Sequence, residues 1–185
     1  FLNNLFPFLK DTPLLLAVSG GLDSMVLTDL CVKSGLNIAL AHCNFKLRGA
    51  HSDADLSFVE TIAANLGVQV FTTVFDTKAY AKTQGVSTQV AARELRYEWF
   101  YSTARANGYD RIATGHHADD DLETFFINLS RVTGLRGLTG IASNTEQLIR
   151  PLLPFSRAQI MQFAKKEELF WREDSSNSTR DYLRN

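Results

Sequence analysis

An apolar run at residues 14–18 leads straight into Ser19-Gly20-Gly21-Leu22-Asp23-Ser24, and a helical pattern follows from Asp23 to Lys33. This junction constrains the chain more than any other feature. Pro13 before the run and Ser-Gly-Gly after it mark a buried strand that stops abruptly. The following segment carries Met25, Val26, Leu27, Leu30 and Cys31 mostly on one side and closes at Gly35. Two adjacent glycines let the backbone turn tightly and approach a ligand closely. A helix start behind them turns N–H groups and a positive dipole end outward, which suits a phosphate. Ser19 and Ser24 add hydroxyl donors. Asp23 does not suit a bare anion, and a carboxylate beside phosphates suggests a bridging Mg²⁺. The competing reading is an ordinary strand-to-helix turn, for which Ser, Gly and Asp are common residues. Neither Gly-x-Gly-x-x-Gly nor the Lys-bearing Walker pattern is present.

The same alternation continues downstream. Residues 37–41, 68–75 and 111–114 read as strands, and residues 52–66, 88–106 and 119–131 as helices, with Ser52-x-x-Asp55 as a helix start. Strands separated by helices imply a doubly wound parallel α/β sheet, covered on both faces. Ligands of such sheets bind beyond the carboxyl ends of the strands. The aromatics Trp99, Phe100, Tyr101, Phe125 and Phe126 sit at helical spacings and read as core. After residue 132 the pattern loosens. Gly134, Gly137 and Gly140 interrupt it, residues 148–153 read as a fifth strand limited by Pro151 and Pro154, and Ser156 caps a helix to about residue 168. Residues 175–180 are polar and loop-like. The expectation is one domain over residues 1–185, with 132–185 a less regular extension of it.

Composition narrows the function classes. The chain has 185 residues, 45% of them hydrophobic and 21% charged, as in a water-soluble globular domain. No apolar run approaches the roughly 18 to 20 residues that span a bilayer, and the apolar opening lacks the basic start and cleavage site of a signal peptide. Cys31 and Cys43 are the only cysteines, so a disulfide scaffold is excluded and a reducing cytoplasm is expected. The chain opens on Phe and stops on Arg184-Asn185, and reads as a piece of a longer one. The net charge of −1 gives no nucleic-acid footprint. Its distribution is uneven: residues 1–123 hold 10 basic and 14 acidic side chains, and residues 124–185 hold 9 basic and 6 acidic ones. Ordinary surface scatter and a polyanion-facing end explain this equally well.

Three further segments carry chemistry-bearing residues. His42-Cys43-Asn44-Phe45-Lys46-Leu47-Arg48-Gly49 begins where a strand ends, and the planar fork of Arg48 suits a phosphate or carboxylate, or simply water. Ala91-Ala92-Arg93-Glu94-Leu95-Arg96-Tyr97 puts Arg93 and Arg96 on one helix face, where spacing alone reads as a solvated, ion-paired surface. Thr114-Gly115-His116-His117-Ala118-Asp119-Asp120-Asp121-Leu122-Glu123-Thr124 opens a helix with three acids. Acids there are favoured by the dipole alone, by about 0.3 to 1 kcal/mol each. Glu123 can share a face with Asp119 or Asp120, and such a pair can hold a divalent cation or accept protons. A zinc site from His42, Cys43, His116 and His117 has no supporting ligand spacing.

Ser19-Gly20-Gly21-Leu22-Asp23-Ser24 resembles the SGGxDS signature of the N-type ATP pyrophosphatases, or PP-loop superfamily, whose members cleave ATP to AMP and pyrophosphate while adenylating a substrate. The other segments resemble one branch, the tRNA(Ile)-lysidine synthases: HxNxxLRG at His42, AARxxRY at Ala91 and TGHHxDDxxET at Thr114. Gly134-Leu135-x-Gly137-Leu138, Arg150-Pro151-Leu152-Leu153 and Asp174-Ser175-Ser176-Asn177 also fit, so the resemblance spans residues 13–185. It implies the adenine-nucleotide-binding topology of that superfamily, with ATP and Mg²⁺ as cofactors. It further implies ATP-dependent joining of free lysine to the wobble cytidine of tRNA(Ile) with a CAU anticodon, in the cytoplasm and without a membrane.

On that resemblance Ser19, Gly20, Gly21, Leu22, Asp23, Ser24 and Arg93 bind ATP and pyrophosphate. Asp23, Asp119, Asp120 and Glu123 are catalytic, Asp23 and Asp120 hold the metal, and His42, Asn44, Arg48, His116 and His117 contact substrate. Many relatives carry C-terminal domains that grip the tRNA, so the near-neutral chain alone is expected to hold tRNA weakly. Arg131, Arg136, Arg150, Arg157, Lys165 and Lys166 are then the candidate phosphate contacts. Oligomeric state stays open, with a homodimer among the alternatives. The rival readings are another superfamily enzyme, such as a tRNA thiolase or an amidotransferase-type synthetase, and an ATP-binding module without turnover. The 12-residue separation of the cysteines departs from the Cys-x-x-Cys pairs of thiolases.

Overall fold

A computed structural model describes residues 2–130 and 140–173. Five strands form one parallel sheet: β1 (Leu14–Ala17), β2 (Ile38–Asn44), β3 (Gln69–Val74), β4 (Arg111–Ala113) and β5 (Leu148–Ile149). Their order across the sheet is β3-β2-β1-β4-β5. The chain therefore winds outward from β1 in one direction to β3, then returns to the other side of β1 with β4. That reversal opens a crevice beyond the carboxyl ends of β1 and β4, where doubly wound sheets bind ligands.

Alternation along the strands builds two cores. Leu14 and Leu16 of β1 and Ile38 and Leu40 of β2 face one side, together with Met25, Val26, Leu27 and Cys31 of α2 (Leu22–Lys33), Val59 and Ala63 of α3 (Ala50–Leu66) and Ile160 and Ala164 of the last helix. Leu15, Ala39, Ala41, Ile112 and Leu148 face the other side, where Phe100 and Ala104 of a long helix cover them. The N-terminal α1 (Leu2–Leu5) and a short 3₁₀ turn at Pro7–Asp11 add Leu2, Phe6 and Leu9 to the first core.

Most expected elements are present with shifted ends. The second strand runs on to Asn44, three residues past its apolar run, because β3 continues to pair with it through Val74. The helix expected from Ser52 starts at Ala50, behind Gly49. Ser52 does not cap it; the Ser52 hydroxyl instead accepts the Arg48 N–H at 3.1 Å. The fifth strand has two residues rather than six, since residues 151–155 turn away from the sheet. Helix α4 (Thr77–Gln84) had no sequence expectation; Asp76 caps it through the Ala79 N–H. Next come α5 (Thr88–Asn107), capped by Ser87, α6 (Ala118–Ser130) and α7 (Arg157–Lys166). Ser156 and Gln159 form a full capping box on α7.

The aromatic expectation holds in part. Phe100 is core, with Trp99 and Tyr101 packed partly buried beside it. Phe126 is 57% exposed, because α6 buries none of its residues. Gly134, Gly137, Arg131, Arg136 and the 174–185 segment lie outside the described residues.

Candidate active site

The phosphate-loop candidate sits where β1 ends. Gly20 takes a φ of +88°, a left-handed conformation natural to glycine, and a Cβ there would meet the Phe58 ring at 3.2 Å. Gly21 then enters α2 in extended backbone. The first helical hydrogen bond runs from the Met25 N–H to the Gly21 carbonyl, so the N–H groups of Leu22, Asp23 and Ser24 are those a helix start turns outward. The hydroxyls brace the loop from within. Ser24 donates to the Gly21 carbonyl at 2.9 Å, Ser19 accepts the Gly21 N–H at 3.2 Å, and the two hydroxyl oxygens lie 3.3 Å apart.

The opposite wall comes from the turn after β4. Gly115 lies so close to α2 that a Cβ would meet the Asp23 carbonyl carbon at 3.1 Å and the Ser24 nitrogen at 3.2 Å. A side chain there would push the two loops apart by a few tenths of an ångström. His117 is buried at the α6 start, with Nε2 3.8 Å from Asp23 Oδ1 and Nδ1 3.6 Å from Asp120 Oδ2 and 3.7 Å from Asp119 Oδ2. One imidazole thus stands among three carboxylates. Asp120 Oδ2 also accepts the His117 N–H at 3.0 Å, the contact an acid makes at the third position of a helix. Asp119 Oδ2 accepts the Arg157 N–H at 2.6 Å and so caps α7. Asp121 accepts the Ile141 N–H and fixes the chain leading toward β5. Glu123 lies on an exposed part of α6, one turn beyond the cluster.

The charges in this crevice are strained by burial. Desolvation lifts the Asp23 carboxyl above its ordinary range, the nearby Asp120 charge adds to this, and Arg157 and His117 pull it down. Its Oδ1 is buried and has no hydrogen-bond partner, as is Nδ1 of His117. Arg157 places Nη1 3.1 Å from Asp23 Oδ2. His116 bonds Thr114 Oγ1 at 2.8 Å; burial first, then the Arg150, Arg93 and Arg96 charges, push its pKa down to about 4. The Asp120 charge opposes this shift without cancelling it. Arg93 lies over Tyr97 and Arg96 over Phe45, each 5.1 Å from the ring centre.

The other candidates stand at the end of β2. His42 Nδ1 donates to the Val18 carbonyl at 2.8 Å, which ties β2 to the phosphate-loop strand; burial holds its pKa below the usual value. Asn44 is buried and shapes the turn behind it, donating to Asp53 at 2.7 Å and accepting the Lys46 N–H at 2.9 Å. Arg48 donates to Asp55 Oδ2 at 2.8 Å, and Arg172 bonds the other oxygen of the same carboxylate. The Arg172 N–H in turn reaches the Gly20 carbonyl at 2.9 Å. Sequence reasoning named Asp55 only as a helix-start residue, and it missed Arg172 and the place of Arg157 at Asp23. One signal for Arg157 was available: a cation in the first turn of a helix runs against the dipole.

The cysteines stand apart from this crevice chemistry. Cys31 is in the core and Cys43 half-buried on β2, and burial pushes both thiols up to about 12, far from the thiolate that sulfur chemistry requires. Among the described residues no three His, Cys, Asp or Glu side chains are grouped to ligate an ion. Mg²⁺ needs no such cage, since it binds through one or two carboxylates plus substrate phosphates. The unpartnered Asp23 Oδ1 beside the loop, with Asp120 near it, fits that mode.

Comparison with known proteins identifies relatives of this chain. A tRNA(Ile)-lysidine synthase from Chlorobaculum tepidum is 46% identical over 92% of this chain, which covers 53% of that protein. One from Porphyromonas gingivalis is 40% identical over 95% of the chain and 39% of its own length, and one from Bacillus subtilis 34% identical over the whole chain and 41% of its own. The chain thus spans about half or less of these relatives. Among solved structures, a U34-tRNA thiolase from Methanococcus maripaludis superposes with a TM-score of 0.73 at 16% identity, over 89% of this chain and 60% of that one. An NAD synthetase from Campylobacter jejuni superposes at 0.60 with 18% identity, over 85% and 64%. Those two show the shared fold. The model of the PP-loop domain matches residues 1–185 from end to end, and the chain belongs to that family.

Proposed function

We propose that this chain is the ATP-using domain of a tRNA(Ile)-lysidine synthase, acting in the cytoplasm. The observation that carries the reading is the crevice itself: the phosphate-loop glycines and helix start, with Asp23, form one wall, and His117 on the other stands 3.6 to 3.8 Å from the carboxylates of Asp23, Asp119 and Asp120. The identity to relatives of that name supports the substrate. ATP adenylates the C2 carbonyl oxygen of the wobble cytidine in tRNA(Ile) with a CAU anticodon, releasing pyrophosphate. The ε-amine of free lysine then displaces AMP. A carbonyl oxygen leaves poorly and its adenylate leaves well, which is why the reaction spends ATP.

Each wall has its task. The loop N–H groups and Ser19 and Ser24 hold the phosphates and receive the charge that develops on departing pyrophosphate. Mg²⁺, when bound, neutralises phosphate charge and polarises the reacting phosphoryl oxygens. Asp23 is the residue to hold it, with Asp120. The lysine ammonium is mostly protonated near neutrality, so it needs an anionic seat and a proton acceptor. Asp120 and Asp119 around His117 supply both, with Glu123 one turn along α6 to extend the seat. Arg93 and the neutral His116 face the nucleotide side, and His42, Asn44 and Arg48 shape the β2 end that the cytidine approaches.

The test is incubation of the protein with ATP, lysine and tRNA(Ile) of CAU anticodon, followed by mass analysis of the wobble nucleotide and a pyrophosphate assay. Lysine on the cytidine with matched pyrophosphate release is the expected result. Pyrophosphate release with a different modified base points to another family activity, and ATP binding without release points to a binding module.

A further inference from the structure

Arg157 opens α7, where its charge opposes the helix dipole, yet the helix is well formed: Ser156 and Gln159 box its start and Ile160 and Ala164 anchor it in the core. Asp119 holds the Arg157 backbone N–H, so the base of the side chain is fixed at the crevice. The guanidinium then turns inward to Asp23 Oδ2 at 3.1 Å while its side chain keeps 47% of its surface exposed, at the mouth of the site. The far oxygen of Asp23 and Nδ1 of His117 are buried without partners in the same crevice.

We propose that Arg157 is a polyphosphate-binding residue, paired with Asp23 at the phosphate loop and turned to the β- and γ-phosphates when ATP enters. This rests on reading the crevice as a nucleotide site. A carboxylate at a phosphate loop repels a polyanion unless a cation neutralises it, and Arg157 is the cation that reaches it. A guanidinium fork donates to two phosphate oxygens at once, whereas an ionised aspartate has no donor to offer them. The Arg157 guanidinium reaches the start of α2, where the phosphates seat, and is not among the charges that act on His116. Its contact therefore concerns the half of ATP that leaves as pyrophosphate, and Arg157 makes and breaks no covalent bond.

Calorimetric titration of the wild-type protein, Arg157→Gln and Arg157→Lys with ATP, inorganic pyrophosphate and AMP tests this. Arg157→Gln should weaken ATP and pyrophosphate by about tenfold or more, the scale of a hydrogen bond to a charged group, and AMP by less than about twofold. Arg157→Lys, which keeps the charge without the fork, should fall between. Equal loss for AMP and pyrophosphate, or no loss for pyrophosphate, overturns the proposal. So does full recovery of pyrophosphate affinity in Asp23→Asn/Arg157→Gln, which would make neutralisation of Asp23 the whole role. If the wild-type protein binds neither ATP nor pyrophosphate, the nucleotide reading itself fails.

Discussion

Asp119 and Asp120 each do two things at once. Their Oδ2 atoms accept backbone N–H groups, of Arg157 and His117, and the same atoms flank the His117 ring. An asparagine accepts such N–H bonds nearly as well as an aspartate, but it brings no charge. Asp119→Asn and Asp120→Asn are therefore expected to shift stability by less than about 1 kcal/mol, while turnover falls by about 10² or more if they seat or deprotonate lysine. Normal turnover in both variants would leave capping as their whole role, as read from a melting curve beside a pyrophosphate assay. His116 gives a pH signature. Its folded pKa of about 4 lies below the ordinary 6.5, so below pH 6.5 the unfolded chain takes the proton more readily than the folded one. The stability it contributes is full above 6.5 and is lost as pH falls through the window toward about 4, up to about 3 kcal/mol. His116→Asn should flatten acid-induced loss in that window, measured by urea midpoints at several pH values. The strings 19–24 and 114–124 were legible as site candidates because each sits at a strand end and concentrates residues that caps alone do not need. Their partners were not, since Arg157 and Arg172 reach the loop only after more than 130 residues of intervening chain have folded.

Elements were legible where a long apolar stripe or a clear cap marks them. Helix α4, Thr-Lys-Ala-Tyr-Ala-Lys-Thr-Gln, buries only Thr77 and Ala81 and packs on α5 rather than on the sheet, so it left no periodic signal. Strand β5 reads as six residues because Leu152 and Leu153 continue its apolar run, but Leu152 goes to the helix-side core of β1 after the chain has turned. Two contacts between elements carry predictions. Gly115→Ala would drive a methyl group into the backbone of Asp23 and Ser24, where neither wall is a flexible side chain. The expected cost is about 1–3 kcal/mol, with weaker ATP binding because the phosphate loop must shift; unchanged ATP affinity would show that the loop and the β4 turn move independently. Asp55 joins α3 to the chain after α7 by holding both Arg48 and Arg172. Asp55→Ala removes the carboxylate that both guanidiniums share and should cost about 2–3 kcal/mol. Asp55→Asn should recover part of that in a urea titration, since one acceptor oxygen remains.

At the scale of the molecule, charge bears differently on the two proposed substrates, ATP and tRNA. The phosphate loop and the acidic cluster lie within the 185 residues, so ATP should bind to this chain by itself. A tRNA is a large polyanion, and a net charge of −1 offers it little general attraction. The exposed cations are scattered: Lys165 and Lys166 end α7, while Arg150 bonds the Ala142 carbonyl and Arg157 turns into the crevice. Arg131 and Arg136 lie outside the described residues. The expected behaviour is therefore tight ATP binding with weak, salt-sensitive binding of tRNA. Each phosphate contact removed from a protein–RNA interface lowers the slope of log affinity against log salt by about 0.7 to 0.9. Filter-binding titrations across a salt series, with this chain beside the full-length Chlorobaculum tepidum relative of about twice its span, measure that slope for both. The longer protein is expected to bind more tightly and with a steeper slope, which would place further phosphate contacts in its additional length. Equal, tight binding by both at physiological salt would place tRNA capture inside the PP-loop domain and move the search for its phosphate contacts to Arg93 and Arg96, whose charges act on His116 in the crevice.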